Sequence, residues 1–289
     1  MGAIILTGPT GSGKSSIAHK IAKSFGAVIV SADAMTVYKG MDIGTAKPTA
    51  EEQEEVLYYG LDCVYPDQEY TVFDFVELVE EVTANHSKVI IAGGTPYYLR
   101  ALLKPHAPMP SANQELRQRL SQDENLHQRL RNVDPELANR LHPNDKVRII
   151  RGLEVFELTG RPLSEVQLDP PTREPIKAKV LWLEREDLRP RLGTRIEQMI
   201  ANGYLDETEA LLNEGYTLAH KPMSSFAYLH MVNFIQGELN WEDCLDRIEK
   251  GTWHLARKQR TWGRNMGFTG KSQAQVEKEL IEYFIELKK

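Results

Sequence analysis

The run Gly8-Pro9-Thr10-Gly11-Ser12-Gly13-Lys14-Ser15 constrains this chain more than any other stretch. It fits the pattern G-x-x-x-x-G-K-[ST], and its setting agrees with the pattern. Ala3 to Thr7 is a short apolar run that reads as a fully buried parallel strand. Lys14 to Ser24 carries apolar residues at Ile17, Ala18, Ile21 and Ala22, which is helical spacing. Strand, glycine-rich turn and helix in that order form a P-loop, a backbone cradle for an anion. Glycines let N–H groups turn inward, and the helix N-terminus adds about half a positive charge. Lys14 is the mobile cation for phosphate oxygens, and the Ser15 hydroxyl can join the shell of a Mg²⁺. The motif alone does not choose among phosphate compounds; a nucleoside triphosphate such as ATP is its default occupant.

The pattern continues beyond the loop. Ala27 to Val30 reads as a second strand, ending at Ser31-Ala32-Asp33, and Val89 to Ala92 as a third, followed by Gly93-Gly94-Thr95. Between them Val72 to Val82 reads as a helix with Phe73, Val76, Val79 and Val82 on one face, and Lys179 to Leu183 is a fourth strand. Strands alternating with helices predict an α/β fold, a P-loop NTPase-like parallel sheet flanked by helices. From about Pro105 the character changes. Pro105, Pro108 and Pro110 break regular structure, and Ser111 can cap a helix with Gln114 in capping-box register. Residues 113–141 are polar with leucines at helical spacing, from Leu116 to Leu141. These features predict a small all-helical insertion domain at 106–145, set in a core of 1–105 and 146–289. Residues 146–158 resume a helix, 168–177 form a Pro-rich loop, and the chain beyond Leu183 reads as helical.

Charge narrows the function classes. Lys and Arg number 35 against 41 Asp and Glu, a net charge of −6, so any basic surface for nucleic acid must be local. One such stretch exists: Arg247, Lys250, Arg257, Lys258, Arg260 and Arg264 stand against Glu249, with Trp253, His254 and Trp262 among them. Basic residues interleaved with aromatics suit a phosphate backbone with stacked bases, although an amphipathic helix with a solvated basic face has the same pattern. No run of about 18 apolar residues exists to span a membrane. The N-terminus lacks the features of a signal peptide, and Leu6 stands where a myristoylation signal needs Ser or Thr. Cys63 and Cys244 make neither a disulfide framework nor a zinc pattern. A cytoplasmic, monomeric protein with idle thiols is the expectation.

Asp33 falls at the carboxyl end of the second strand, the edge that faces the ligand crevice of open α/β sheets. A carboxylate there can accept a proton from an acceptor or help hold Mg²⁺, but an aspartate in that position can equally be a helix cap. Thr95 opens onto the same edge. The residues so far allow a P-loop kinase with Asp33 as base, or a transferase that holds a diphosphate as leaving group.

The stretch from Ser31 to Pro48, SADAMTVYKGMDIGTAKP, separates the two. It resembles the signature of the tRNA dimethylallyltransferases, also called isopentenyltransferases. So do Gly93-Gly94-Thr95-Pro96-Tyr97-Tyr98-Leu99, Asp134-Pro135-Glu136, His142-Pro143-Asn144-Asp145 with Arg148-Ile149-Ile150-Arg151, and Ala256 to Trp262. The blocks run in the family's order over nearly the whole chain. The resemblance implies transfer of a dimethylallyl group from dimethylallyl diphosphate to the exocyclic amine of the adenosine just 3′ of a tRNA anticodon, with diphosphate released and Mg²⁺ as cofactor. It makes Asp33 the general base and sets Thr95 beside the target base. Residues Gly8 to Ser15 then hold the donor's diphosphate, and Lys14 and Arg195 neutralise its charge. Asp33, Ala34, Met35, Thr36, Thr95, Arg117, Val147, Arg148, Ile149, Ile150 and Arg151 fall at positions that meet RNA.

The chain departs from the family in places. Ala227 stands where the family has glycine, within Met223 to His230, and the usual basic residue there is missing. Tyr58-Tyr59 replaces a pair of histidines, and Thr36 a common glutamine. A transferase acting on free adenine nucleotides (an adenylate isopentenyltransferase) is the nearest alternative, but it needs neither the helical insertion nor the basic C-terminal stretch. A P-loop small-molecule kinase would retain ATP, and an RNA binder without catalysis would not need Lys14, Ser15, Asp33 and Thr95 intact.

Overall fold

A computed structural model describes residues 2–105 and 107–287. Six strands make one parallel sheet: β1 (Gly2–Thr7), β2 (Val28–Ser31), β3 (Tyr58–Tyr59), β4 (Lys88–Gly93), β5 (Ala178–Leu183) and β6 (Gly270–Lys271). Their order is β3-β2-β4-β1-β5-β6. β1 is buried along its whole length, which is why its sequence is continuously apolar rather than alternating. The helix Lys14–Phe25 sets Ile17, Ala18, Ile21 and Ala22 against Ile4, Leu6, Ile29 and Ile90. The helix Gln273–Glu286 adds Val276, Leu280 and Phe284 to the same cluster, and the Tyr283 hydroxyl donates to the Ala3 carbonyl at 2.9 Å.

Strand order determines where a ligand can sit. After β1 the chain passes to β2, two places away, and β4 later fills the gap; β5 pairs on the other side of β1. The carboxyl ends of β1, β2 and β4 therefore open at a point where connections diverge, the usual crevice of such sheets.

Several local expectations need correction. β3 and β6 are two residues each, too short to carry a period, and the sequence reading has neither. The helix Val72–Asn85 buries Val72, Phe75, Val76, Val79 and Val82, while Phe73 is 54% exposed. Each step of three residues lags about 60° around an α-helix, so a row spaced by three drifts off its own face. Phe75 stacks on Tyr98 instead, with ring centroids 4.3 Å apart. The cap of the helix Gln114–Ser121 is Asn113, whose side chain accepts from the Leu116 N–H, and not Ser111.

The chain divides into two compact units, Met1–Leu102 with Lys177–Lys289, and Leu103–Ile176. The sequence reading ends the insertion at 145, and its first residue, 106, lies outside the described residues. The structure carries the smaller unit on to Ile176. Three short helices, Gln114–Ser121, Leu126–Val133 and Pro135–Arg140, each offer only a leucine or two. They bury these against Ile149, Leu153 and Val155 of the longer helix Lys146–Thr159. Gly152 lets them close in, since a Cβ there would meet the side chains of Leu137 at 2.7 Å and Leu130 at 2.9 Å. Asp134 caps the third helix through the Leu137 N–H and also accepts from the Ser164 N–H and hydroxyl, so it serves this unit's interior.

Candidate active site

The phosphate loop leaves β1 under tight constraint. A Cβ at Gly8 would lie 2.4 Å from the Leu183 carbonyl oxygen, and Gly13 enters the helix at a φ of +91°, in the left-handed region. The Lys14 ammonium donates back to the Pro9 carbonyl at 3.3 Å. The buried Ser12 hydroxyl has no hydrogen-bond partner among the described residues. Beside the loop lies a cavity of about 60 Å³. Thr10, Lys14 and Ser15 line it from the loop, Asp33 and Thr36 from the chain after β2, and Arg195 from the helix Leu188–Ala201. Ala18, Ile29, Tyr58 and Ala92 give it an apolar wall.

Its electrostatics are those of a site prepared for an anion. Burial pulls the Lys14 pKa down to about 8; Asp33 pushes it up and Arg195 pushes it down. Burial also lowers the Arg195 pKa, with Asp33 acting the other way. Two cations crowd one cavity, and neither makes an ion pair with a carboxylate among the described residues.

Asp33 and Thr95 come together as the strand ends predict. Asp33 Oδ1 accepts from the Met35 N–H at 2.9 Å, so the carboxylate shapes its own turn while facing the cavity. Thr95 Oγ1 accepts from the Ala34 N–H at 3.0 Å, and the Thr95 N–H donates to the Ala32 carbonyl at 3.1 Å. The turns after β2 and β4 are thereby stitched together. They lie so close that a Cβ at Gly93 would be 2.2 Å from the Ala32 carbonyl oxygen. Thr36 is buried, its hydroxyl 2.9 Å from that of Ser31, while Ala34 and Met35 are half-buried.

The rest of the 33–48 segment is anchored by a carboxylate that the sequence reading missed. Glu207 accepts from the N–H groups of Asp42 at 2.7 Å, Ile43 at 2.6 Å and Gly44 at 2.9 Å, and from the Tyr228 hydroxyl at 2.6 Å. Lys47 is buried between Asp42 and Asp62 and donates to the Tyr38 carbonyl. Tyr228 belongs to the divergent Met223–His230 stretch, where Met223, too, is fully buried. In this chain that stretch braces the loop that carries part of the cavity wall.

Gln259 was also missed as an individual residue. It lies on the 25-residue helix Trp241–Asn265, is only 5% exposed, and reaches both sides of the crevice. Its Oε1 accepts from the Thr10 N–H at 2.8 Å, and its Nε2 donates to the Gly94 carbonyl at 2.8 Å. A polar side chain inside a basic helix could have flagged it. On the same helix Arg247, Lys250, His254, Arg257, Lys258 and Arg264 are exposed and fall within one arc. Arg260 does not join them: it donates to Glu184 Oε1 at 2.9 Å and to the Arg185 carbonyl. Trp253 packs against Leu188, Leu192 and Ala256, and Trp262 against Phe268.

In the smaller unit the positions expected to meet RNA divide. Val147 is 81% exposed, and the Arg148 side chain projects outward next to Asp145. Ile149 is fully buried in the unit's core, so its side chain cannot touch RNA; Ile150 is half-buried there. Arg117 and Arg151 both hold Glu154, a glutamate with 0% exposure. Arg117 donates at 2.8 and 3.0 Å and Arg151 at 2.5 Å, and the Asn113 N–H adds a further bond at 2.7 Å. Burial alone would raise the Glu154 pKa, but these donors bring it below the usual carboxylate range.

Of the thiols, Cys244 is buried and Cys63 exposed, and no helix among the described residues is long and apolar enough to cross a membrane. No cluster of three or more His, Cys, Asp or Glu among them could hold a metal unaided. The Ser15 hydroxyl and the Asp33 carboxylate both line the cavity, a pair of hard oxygens that suits a Mg²⁺ completed by waters and phosphate oxygens.

Fold and site together define a P-loop α/β protein whose crevice sets two cations and a carboxylate around a place for phosphate. The model of the IPP transferase family matches residues 36–266, well over half of the sequence, and the chain belongs to that family. Relatives include a tRNA dimethylallyltransferase of Geobacter sulfurreducens, 38% identical over 90% of this chain and 88% of its own length. Another, from Geobacter metallireducens, is 40% identical over 90% and 89%. Among solved structures, the tRNA isopentenylpyrophosphate transferase of Bacillus halodurans is 27% identical, with a TM-score of 0.69 over 99% of this chain and 98% of its own. A eukaryotic dimethylallyltransferase caught acting on tRNA is 26% identical, with a TM-score of 0.77 over 91% of this chain and 70% of its own.

Proposed function

We propose that this protein transfers the dimethylallyl group of dimethylallyl diphosphate to the N6 amine of the adenosine 3′-adjacent to a tRNA anticodon. One observation carries the reading: Lys14 and Arg195 meet Asp33 in a single cavity, with Thr95 stitched beside Asp33. The cations and loop N–H groups bind the diphosphate, and the carboxylate serves the acceptor.

In this scheme the adenine N6 lone pair attacks C1 of the dimethylallyl group while the bond from C1 to the diphosphate oxygen breaks. An adenine amine is a weak nucleophile because its lone pair is delocalised into the ring. Asp33 takes the N6 proton as the new bond forms. Charge grows on the departing diphosphate, and Lys14, Arg195 and the N–H groups of Gly13, Lys14 and Ser15 at the start of the helix are fixed to receive it. A Mg²⁺ held through Ser15 would add to that neutralisation. The target base has to leave its stack to reach this crevice, so a hairpin loop is the suitable RNA element. Arg148 and Val147 in the smaller unit, and the basic face of the helix Trp241–Asn265 in the larger, each contact RNA; Arg117 and Arg151, bonded to Glu154, hold the helix that presents Arg148 and Val147. The protein works as a cytoplasmic monomer.

The test is transfer of labelled dimethylallyl to an anticodon stem-loop, with AMP as the control acceptor. Label in the RNA alone is expected. Label in AMP alone would replace this reading with a free-nucleotide transferase, and label in neither would overturn it.

A further inference from the structure

The transfer scheme gives Gln259 no part, yet its amide is the one side chain described here that bonds to both the phosphate loop and the turn carrying Thr95. We propose that Gln259 is a positioning residue that sets the distance between the donor's diphosphate and the acceptor amine. The inference rests on the transfer reading above, and it extends that reading to a helix outside the sheet.

The chemistry of the two bonds is specific to a primary amide. One end must accept, from the Thr10 N–H, and the other must donate, to the Gly94 carbonyl. Both partners are backbone groups at the mouth of a crevice, and both lose their bonds if the amide is removed. The Thr10 N–H points at Gln259, so that residue's backbone is turned by the helix and not by phosphate. Gly94 is glycine for the same reason: a Cβ there would lie 2.6 Å from the Gln259 amide nitrogen and 3.0 Å from the Gly8 carbonyl oxygen. Gly8, Gly94 and Gln259 are therefore one packed junction between the loop that holds the leaving group and the turn that precedes Thr95. The helix bearing Gln259 also bears the exposed Arg257 and Lys258 on its outer face. Seating of that helix on RNA and alignment of the two loops go through the same segment.

Two variants test the assignment. Gln259→Met keeps the length and removes both bonds. It should raise the KM for dimethylallyl diphosphate and lower kcat, each by about tenfold, as a small misplacement of reacting groups does. The affinity for the RNA hairpin measured without donor should stay within about twofold of wild type. Gln259→Glu keeps the acceptor and restores the donor only when protonated, and burial favours the protonated form. Its transfer rate relative to wild type should therefore rise as the pH falls from 8 to 6, a profile that a merely structural role would not produce. Unchanged KM and kcat in Gln259→Met, or a flat ratio for Gln259→Glu across that range, would overturn the proposal. If Gln259→Met does not fold, the Gln259→Glu profile decides alone. Calorimetry with inorganic diphosphate keeps the two ideas apart. If wild type binds diphosphate without transferring dimethylallyl, the transfer reading fails. Weaker diphosphate binding in Gln259→Met then still supports the junction, and unaltered binding removes it.

Discussion

The two units use arginine and lysine in opposite ways. In the larger unit, Lys14 and Arg195 face one cavity with only Asp33 to share between them, and burial holds both pKa values down. In the smaller unit, Arg117 and Arg151 are both ion-paired with Glu154, a buried carboxylate whose pKa is lowered. Cations without a carboxylate partner await an anion from outside, whereas cations clamped on a buried acid hold helices together. Formal charge in the sequence is the same in both places; the partner supplied by the fold decides which role follows.

The contrast can be broken at several points. Asp33→Ala should cut turnover by about 10²–10⁴, the usual range for a general base, while leaving the donor's affinity near wild type. A single-turnover assay with an equilibrium donor-binding measurement reads both, and full turnover would remove Asp33 from the chemistry. The next effect is on donor affinity and its pH dependence. With a pKa of about 8 in the free protein, Lys14 is progressively neutral above that pH. A bound diphosphate favours its charged form, so binding takes up a proton there and weakens as the pH rises beyond 8. Arg195→Gln removes a charge that lowers the Lys14 pKa; besides binding donor less tightly, it should shift this fall to higher pH. Calorimetry in buffers of differing ionisation enthalpy would detect the proton uptake, and its absence would contradict the arrangement.

Smaller effects are expected on the other side of the comparison. Glu154→Gln should lower the unfolding free energy of the smaller unit by about 2 kcal/mol, within the range for breaking a buried charged hydrogen bond, measurable in urea. An unchanged midpoint would mean that Arg117 and Arg151 are not held as described. Arg148→Ala, by contrast, should leave stability alone and weaken RNA binding evenly across sequences, lowering the slope of log K against log salt by about one.

Much of this was legible from the sequence because some signals are local. A strand, a glycine loop and a helix fix the phosphate site within a few residues, and the apolar runs of β1, β2 and β4 announce burial on both faces. Asp33 and Thr95 could be paired because both end strands on one edge. What stayed hidden depends on contacts distant in sequence. Glu207 is 163 to 165 residues from the N–H groups it receives, and Gln259 is 249 from Thr10. No period or motif spans such a gap. Ile149 shows the opposite error: a motif extended across a helix takes in the residues on its buried side. The boundary near 145 failed for a related reason, since a proline-marked turn signals an interruption of the chain and not which core the next helix joins.

The contact of the last helix with the first strand has a consequence for biosynthesis. Val276, Leu280 and Phe284 complete the cluster around Ile4, Leu6 and Ile17, and Tyr283 bonds to Ala3. While the chain is still on the ribosome, the strand that carries the phosphate loop remains without part of its covering until these residues, Tyr283 among them 280 positions beyond Ala3, emerge. Part of its apolar surface stays uncovered until then, a window in which a chaperone can bind it.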